Sequence, residues 1–306
     1  MVEIMRLLLQ FPEGLKKKAF EMKNQYEKEG HDVFISVSPC YGACDLAFDE
    51  ARHIKADKLI HFGHNRFVNT DSDIVVEYIP YHIDIDIKSL EKVLKDIKDY
   101  KNIALVTTIQ HTHQFEGIRS FFEKNGKQVF AEPGEHAIER GQVLGCDTSG
   151  LRKIIDKVEA VVFIGDGIFH PLAIDFEKPV FVFNPYSKIV KNLSADIETL
   201  KKRKKGAIAK ALTCKKFGIM LSTKIGQTNI KAAEWAKKEL EKRGFECITL
   251  VANEMDPMAI NNLMDIECLV NTACPRISDD QEKFGKPILN IGVLKELFLI
   301  IDANTV

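Results

Sequence analysis

Apolar and polar positions along this chain switch between a strand-like and a helix-like period, and the switching repeats. From Lys101 to Phe130, KNIALVTTIQHTHQFEGIRSFFEKNGKQVF reads as a strand, a polar loop, an amphipathic helix and a second strand. From Lys215 to Leu250, KKFGIMLSTKIGQTNIKAAEWAKKELEKRGFECITL has the same order. Ile230, Ala233, Trp235, Ala236 and Leu240 lie near helical spacing there, and Gly244 stands as a helix stop before a β-branched run. Met5 to Val37 repeats the order with Gly30 in the stop position. Each copy continues through a second βα step to a short apolar strand: DKLIHFGH from Asp57, EAVVFIGDG from Glu159 and ECLVNTACPR from Glu267. A further strand ends each copy, as IVVEYIP, KPVFVFNP and KPILNIG. Runs that are apolar on both faces suit parallel strands covered by helices. The pattern therefore predicts an α/β fold of three similar domains, each a small parallel sheet flanked by helices, related by pseudo-threefold repetition. The expected domains are 1–100, 101–205 and 206–306, with boundaries near Tyr100 and Gly206. The charge run Lys201–Lys205 sits at the second boundary and reads as a solvated helix end, with a basic docking patch as the alternative.

Composition narrows the chemistry. At 306 residues and 45% hydrophobic content the chain is long enough for two or three packed cores. Lys and Arg number 43 against 44 Asp and Glu, a net charge of −1, so no global field draws it to nucleic acid or to an anionic membrane. The opening MVEIMRLLLQ has an apolar run without a small-residue cleavage site, no apolar stretch reaches the length of a membrane span, and the chain reads as cytoplasmic. Seven cysteines, an odd number without a secretory signal, argue against a disulfide framework and toward thiolate or metal chemistry. A Walker A pattern, an HExxH helix and a GxSxG elbow are all missing; GDGIFH comes nearest a dinucleotide fingerprint, but His170 stands where glycine is needed.

In parallel sheets, function gathers at the carboxyl ends of the strands. Cys44 in PCYGACDLA follows the strand VFISV; Cys146 follows the strand-like QVLG and precedes a helix expected near Leu151; Cys274 lies just past ECLVN. One loop thiol per repeat, in matching places, points to a shared task. Cys247 and Cys268 fall inside strands, where a thiol packs as a small hydrophobe, and Cys214 lies near the start of the third unit. Cys40 forms CxxxC with Cys44 and is an alternative ligand, although Ala47 ends any CxxxCxxC continuation. With no CxxC knuckle, a closed zinc site is a poor reading. Three soft thiolates suit an iron–sulfur cluster with one iron left open. His61, His64, His111 and His113 raise a histidine metal site, with solvated loop histidines as the ordinary explanation.

QFPEGL from Gln10, PCYGACDLA from Pro39, HFGH from His61, TTIQH from Thr107, RGQVLGC from Arg140, GDGIFHP from Gly165 and NTACPRISDD from Asn271 occur in that order over the whole chain. With these motifs the sequence resembles the archaeal diphthamide synthesis enzymes, the 2-(3-amino-3-carboxypropyl)histidine synthases. The resemblance implies a [4Fe-4S] cluster held by Cys44, Cys146 and Cys274, with S-adenosyl-L-methionine as second cofactor. It implies transfer of the 3-amino-3-carboxypropyl group to a histidine of elongation factor 2 by a non-classical radical route, an electron donor, and a homodimer. It also points to Gln110, His111, Asp166, Gly167, Phe169 and His170 as the cofactor pocket, with a tight turn at GDG and a loop cap at His170 as the plainer readings. Arg276, ahead of Arg140, is expected to lower a thiolate pKa or meet the cofactor carboxylate, and Asp279 and Asp280 serve equally as helix caps. Two rivals share the architecture: a quinolinate synthase-like [4Fe-4S] dehydratase, in which the open iron is a Lewis acid, and a non-catalytic zinc- or cluster-bearing subunit.

Overall fold

Leucine and isoleucine alternate in direction along the first strands, and a sheet follows from that alternation. The computed structural model describes residues 4–69 and 72–304. In it β1 (Arg6–Gln10), β2 (Asp32–Ile35), β3 (Lys58–Phe62) and β4 (Val75–Ile79) form a parallel sheet in the order β2-β1-β3-β4. Leu7, Leu9, Ile60 and Phe62 pack on one face with Ala19 of α1 (Ala19–Lys28). Leu8 and Leu59 pack on the other with Phe48 and Ala51 of α2 (Phe48–His53). Each fully buried side chain of this size contributes roughly 1.5–3 kcal/mol.

The second sheet contains β5 (Asn102–Thr107), β6 (Gln128–Phe130), β7 (Ala160–Ile164), β8 (Val180–Asn184) and β9 (Ile189–Asn192), in the order β6-β5-β7-β8-β9. Val93 of α3 (Glu91–Asp96) and Ile118 and Phe122 of α4 (Phe115–Lys124) cover Ile103, Leu105, Val162 and Phe183. α5 (Ser149–Arg152) lies between β6 and β7. Two features depart from expectation. β9 runs antiparallel to β8, an addition the parallel pattern does not predict, and it is mostly exposed. QVLG is not a strand; it makes single bridges, Thr107 with Gln142 and Leu144 with Asp147, because β5 ends at Thr107 and leaves no ladder to extend.

The third sheet repeats the order of the first: β10 (Lys216–Ser222), β11 (Glu246–Ala252), β12 (Cys268–Asn271) and β13 (Ile288–Asn290) lie as β11-β10-β12-β13, all parallel. One face packs on α6 (Ser194–Ala211), α7 (Ile230–Lys242) and α10 (Ile291–Ala303); Ile260 of α8 (Pro257–Asn261) and Phe284 of α9 (Gln281–Phe284) cover the other. The chain forms two compact units, 1–194 with the first two sheets and 195–306 with the third. The boundary expected near Gly206 falls within α6, where Lys201–Lys205 occupies the exposed side and Ile197, Ala207, Ile208 and Ala211 the buried one.

One device recurs at the foot of every sheet. Asp57 Oδ2 accepts a hydrogen bond from Arg6 N (2.6 Å). Glu159 Oε2 accepts from Lys101 N (2.6 Å) and Asn102 N (2.8 Å), and Glu267 Oε2 from Lys215 N (2.5 Å) and Lys216 N (3.2 Å). In each case the acidic residue's own backbone N–H donates back to the first strand.

Candidate active site

Cys44 lies in the loop between β2 and α2, and two buried polar side chains hold that loop. Gln10, the last residue of β1, donates from Nε2 to Asp45 O (2.7 Å) and accepts at Oε1 from Ala47 N (3.3 Å). Those two bonds orient the amide, so His61 Nδ1, 2.9 Å from Gln10 Oε1, carries a proton. His61 Nε2 then accepts from His64 Nδ1 at 3.0 Å. A directed chain thus runs from the Cys44 loop across β1 and β3 and leaves His64 Nε2 as an acceptor. A Cβ on Gly42 would stand 3.8 Å from Cys44 Sγ and 3.9 Å from His64 Nε2, so thiol and imidazole border the same space. His61 is 0% exposed, and burial pushes its pKa down to about 3. His64 keeps some solvent access yet is densely surrounded, and burial outweighs the pull of the nearby Phe62 carbonyl, lowering its pKa to about 4. The expectation of solvated loop histidines is therefore corrected for both: β3 carries His61 into the core, and His61 holds His64. Cys40 is 5% exposed with its Sγ 3.9 Å from Gly42 O, and burial pushes its thiol up to about 12. Cys44 is the more open thiol of the pair.

Cys146 is exposed, at the tip of the turn closed by Leu144 N to Asp147 O (2.9 Å) and Asp147 N to Leu144 O (3.2 Å). Asp147 fixes the turn. Its Oδ2 accepts from His136 N (2.7 Å) and Ala137 N (2.9 Å), and its Oδ1 from Ser149 N (2.9 Å) and Ser149 Oγ (2.6 Å), at the start of α5. Burial opposes its charge, but these bonds prevail and hold the carboxyl below its ordinary range. Asn65, next to His64, exchanges a reciprocal amide pair with the buried Gln142 (3.0 and 3.1 Å). This pair joins the HFGH and RGQVLGC loops, so the first unit brings the surroundings of Cys44 and Cys146 together. Sequence reading did not single out Gln10, Asn65 or Gln142. The available signal was a polar residue ending an apolar strand, as in LLLQ.

The pocket residues gather beside the second sheet. His111 too departs from the expectation of a solvated loop histidine: the turn Ile109–Gln114 buries it with Nδ1 2.9 Å from Ile83 O, and burial lowers its pKa against that bond and the pull of Asp166. Asp166 Oδ1 accepts from Gly167 N (2.8 Å) and Asn184 Nδ2 (2.6 Å), an exposed carboxylate held in one orientation. Gln110 is half-buried, and its carbonyl accepts from Ile83 N (2.8 Å). Phe169 is 51% exposed and lies on the backbone beside Cys146, where a Cβ on Gly145 would come within 2.5 Å of its ring. His170 stands at an αR position before Pro171, its ring 5.2 Å from that of Phe169. His113 is exposed and pairs with Asp84 at 2.8 Å.

In the second unit, Cys274 is the residue before the 3-10 turn Pro275–Asp280. Asn271, ending β12, spans the loop: its Nδ2 donates to Cys274 O (2.8 Å) and Asn290 Oδ1 (2.7 Å), and its Oδ1 accepts from Ala273 N (3.1 Å). Burial raises the Cys274 thiol, while the Arg276 backbone N–H and guanidinium favour the thiolate. Arg276 itself pairs with Asp279 at 2.6 Å. Among the described residues no three His, Cys, Asp or Glu side chains form a ready-made metal group. Cys44, Cys146 and Cys274 form the candidate donor set, one on a loop beside each sheet.

Three sheets built mainly of parallel strands and flanked by helices, with cysteine-bearing loops beside them, define an α/β protein whose loops are placed to build a site. The chain belongs to the diphthamide synthesis protein family, whose model it matches over residues 11–303. It is 34% identical over 290 residues to the 2-(3-amino-3-carboxypropyl)histidine synthase of Pyrococcus horikoshii, spanning 93% of this chain and 83% of that one. To the synthase of Methanocaldococcus jannaschii it is 30% identical over 304 residues, 92% of this chain and 81% of the other. The crystal structure of Dph2 from Pyrococcus horikoshii with a 4Fe-4S cluster superposes with a TM-score of 0.89 at 32% identity, over 98% of this chain and 87% of that one.

Proposed function

We propose that this protein catalyses the first step of diphthamide biosynthesis, transferring the 3-amino-3-carboxypropyl group of S-adenosyl-L-methionine to a histidine of elongation factor 2. The observation that carries this reading is the donor set: three cysteines on loops, one beside each sheet, in a chain that matches the family nearly end to end. Cys44, Cys146 and Cys274 would hold a [4Fe-4S] cluster, one from a loop beside each of the three sheets. When bound, the cluster supplies the electron that breaks the bond between the sulfonium and the γ-carbon. The chain binds and orients. Asp166, fixed by Asn184, meets ribose hydroxyls or the ammonium group, with His111 and Gln110 beside it. Gly167 lets the ligand approach the backbone, Phe169 and His170 offer ring faces to the adenine, and Arg276 meets the carboxylate. An electron donor reduces the enzyme, which works in the cytoplasm as a homodimer. The family match supports this reaction rather than a quinolinate synthase-like dehydration.

Purified without oxygen, the protein should hold about four irons per chain. After reduction it should consume S-adenosyl-L-methionine in the presence of elongation factor 2 and label one histidine. Replacing Cys44, Cys146 or Cys274 with alanine should remove most of the iron, while Cys40→Ala retains it. Release of 5′-deoxyadenosine as main product, or loss of iron in Cys40→Ala but not in Cys44→Ala, would sink the assignment.

A further inference from the structure

We propose that the basic face of α6 is where an acidic one-electron carrier protein docks to reduce the enzyme beside Cys274. The proposal rests on the function given above, which consumes an electron. Lys201–Lys205 places five cations in succession on α6, and the whole helix carries six against the two acids Asp196 and Glu198. In a chain whose net charge is −1 this is a local field. Lys202 and Lys205 are exposed, lie three residues apart on one side of the helix, and make no ion pair among the described residues.

A solvated helix end needs no particular neighbour, but this face has the Cys274 loop. Arg203 Nη2 reaches Glu282 Oε1 at 3.1 Å and ties α6 to α9, the helix that follows the loop. Leu200, Arg203 and Lys204 line a groove together with Ser278, Asp279 and Asn290. Asn290 donates from Nδ2 to Pro275 O (2.9 Å) and Ser278 Oγ (2.9 Å), and accepts from Asn271 Nδ2, which also bonds Cys274 O. A short hydrogen-bonded path thus joins the groove to the Cys274 backbone. The acids of this region are taken up by other cations: Asp279 by Arg276 at 2.6 Å, Asp280 by Lys283 at 3.0 Å and Glu282 by Arg203. Lys202 and Lys205 keep their charge for a partner.

The groove selects that partner. Its volume is about 20 Å³, room for one water and too little for an imidazole, so the histidine that receives the transferred group is not admitted here. An electron needs no opening. Its transfer falls steeply with distance, which favours contact beside a cluster ligand. Electron-transfer complexes are small and steered by charge, and one helix face of this sign fits an acidic partner. In the step, the carrier loses one electron and the cluster gains it, and no bond of the chain is made or broken.

Flavodoxin, an acidic carrier whose fully reduced flavin gives up one electron with a change of colour, serves as probe. Calorimetry of oxidised flavodoxin with the full chain should show binding that weakens as salt is raised, and Lys202→Glu/Lys205→Glu should weaken it about tenfold. In stopped flow against the cluster-loaded chain, reduced flavodoxin should be oxidised about tenfold more slowly by that variant than by the wild type. Photoreduced 5-deazariboflavin, a small neutral reductant, should reduce both chains equally. Lys231→Glu/Lys238→Glu makes the same change of charge on the exposed side of α7 and should leave both flavodoxin measurements unchanged. The proposal is overturned if the wild type does not bind flavodoxin, if the α6 variant matches the wild type in affinity and rate, or if the α7 variant loses as much. It is also overturned if the α6 variant loses elongation factor 2 or RNA binding while flavodoxin binding is intact. A chain that 5-deazariboflavin cannot reduce speaks against the cluster assignment instead, and the calorimetry, which needs no iron, still decides the docking.

Discussion

A polar side chain that a strand carries into the interior must find partners there, and His61 is where this protein depends most on that rule. Its two ring nitrogens join Gln10 to His64, and no water reaches it. His61→Leu strands the His64 N–H and one lone pair of Gln10; a stability loss of about 1–3 kcal/mol is expected from chemical denaturation at neutral pH. The same site sets a pH dependence. The folded pKa values, about 3 for His61 and about 4 for His64, lie below the ordinary 6.5. Below pH 6.5 the unfolded chain therefore takes up protons that the folded chain refuses. Stability is full above that pH and falls as the pH drops toward 4, by up to about 1.4 kcal/mol per pH unit for each group. Denaturation midpoints at pH 7.5 and 5.5 should show a smaller loss for His61→Leu than for the wild type; an equal loss would place the titrating groups elsewhere. The HFGH motif was visible in the sequence, but nothing in it distinguishes a histidine inside a strand end from one in the loop beyond.

Elements with a strong period and a chemical stop were legible: Gly30 and Gly244, read as helix stops, adopt φ of 95° and 82° after α1 and α7. Elements defined by a partner were not. β9 exists because β8 offers an edge, and the turn at Cys146 is held by Asp147 rather than by any strand propensity in QVLG. Two glycines in helices show the same division between local and tertiary causes. A Cβ at Gly150 in α5 would lie 2.4 Å from Glu132 O and 3.0 Å from Pro133 C, both backbone atoms that cannot swing away. Gly150→Ala should cost about 1–3 kcal/mol and lower the melting temperature. A Cβ at Gly206, in the middle of α6, meets nothing within 4 Å, so Gly206→Ala should stabilise by about 0.5–1 kcal/mol through helix propensity alone. Calorimetry of the two variants should give shifts of opposite sign.

Across the whole molecule, threefold repetition was the most legible feature, because three apolar runs each open on an acid: Asp57, Glu159 and Glu267. What those acids do was hidden, since their partners are backbone N–H groups of strands about fifty residues earlier. Each clamps the start of β1, β5 or β10 to the strand beside it. Glu159 and Glu267 are held below the ordinary 4.5 by the bonds they accept. Their contribution is therefore present above pH 4.5 and lost as the pH falls through the folded value. Glutamine keeps an oxygen acceptor but not the charge, so Glu159→Gln and Glu267→Gln should each lower the melting temperature at pH 7. The difference from wild type should close on acidification, as the wild-type carboxylates take up protons. The two clamps share no partner, so the double variant should show the sum of the single shifts; a double variant no worse than either single would mean that the repeated carboxylates do not act sheet by sheet.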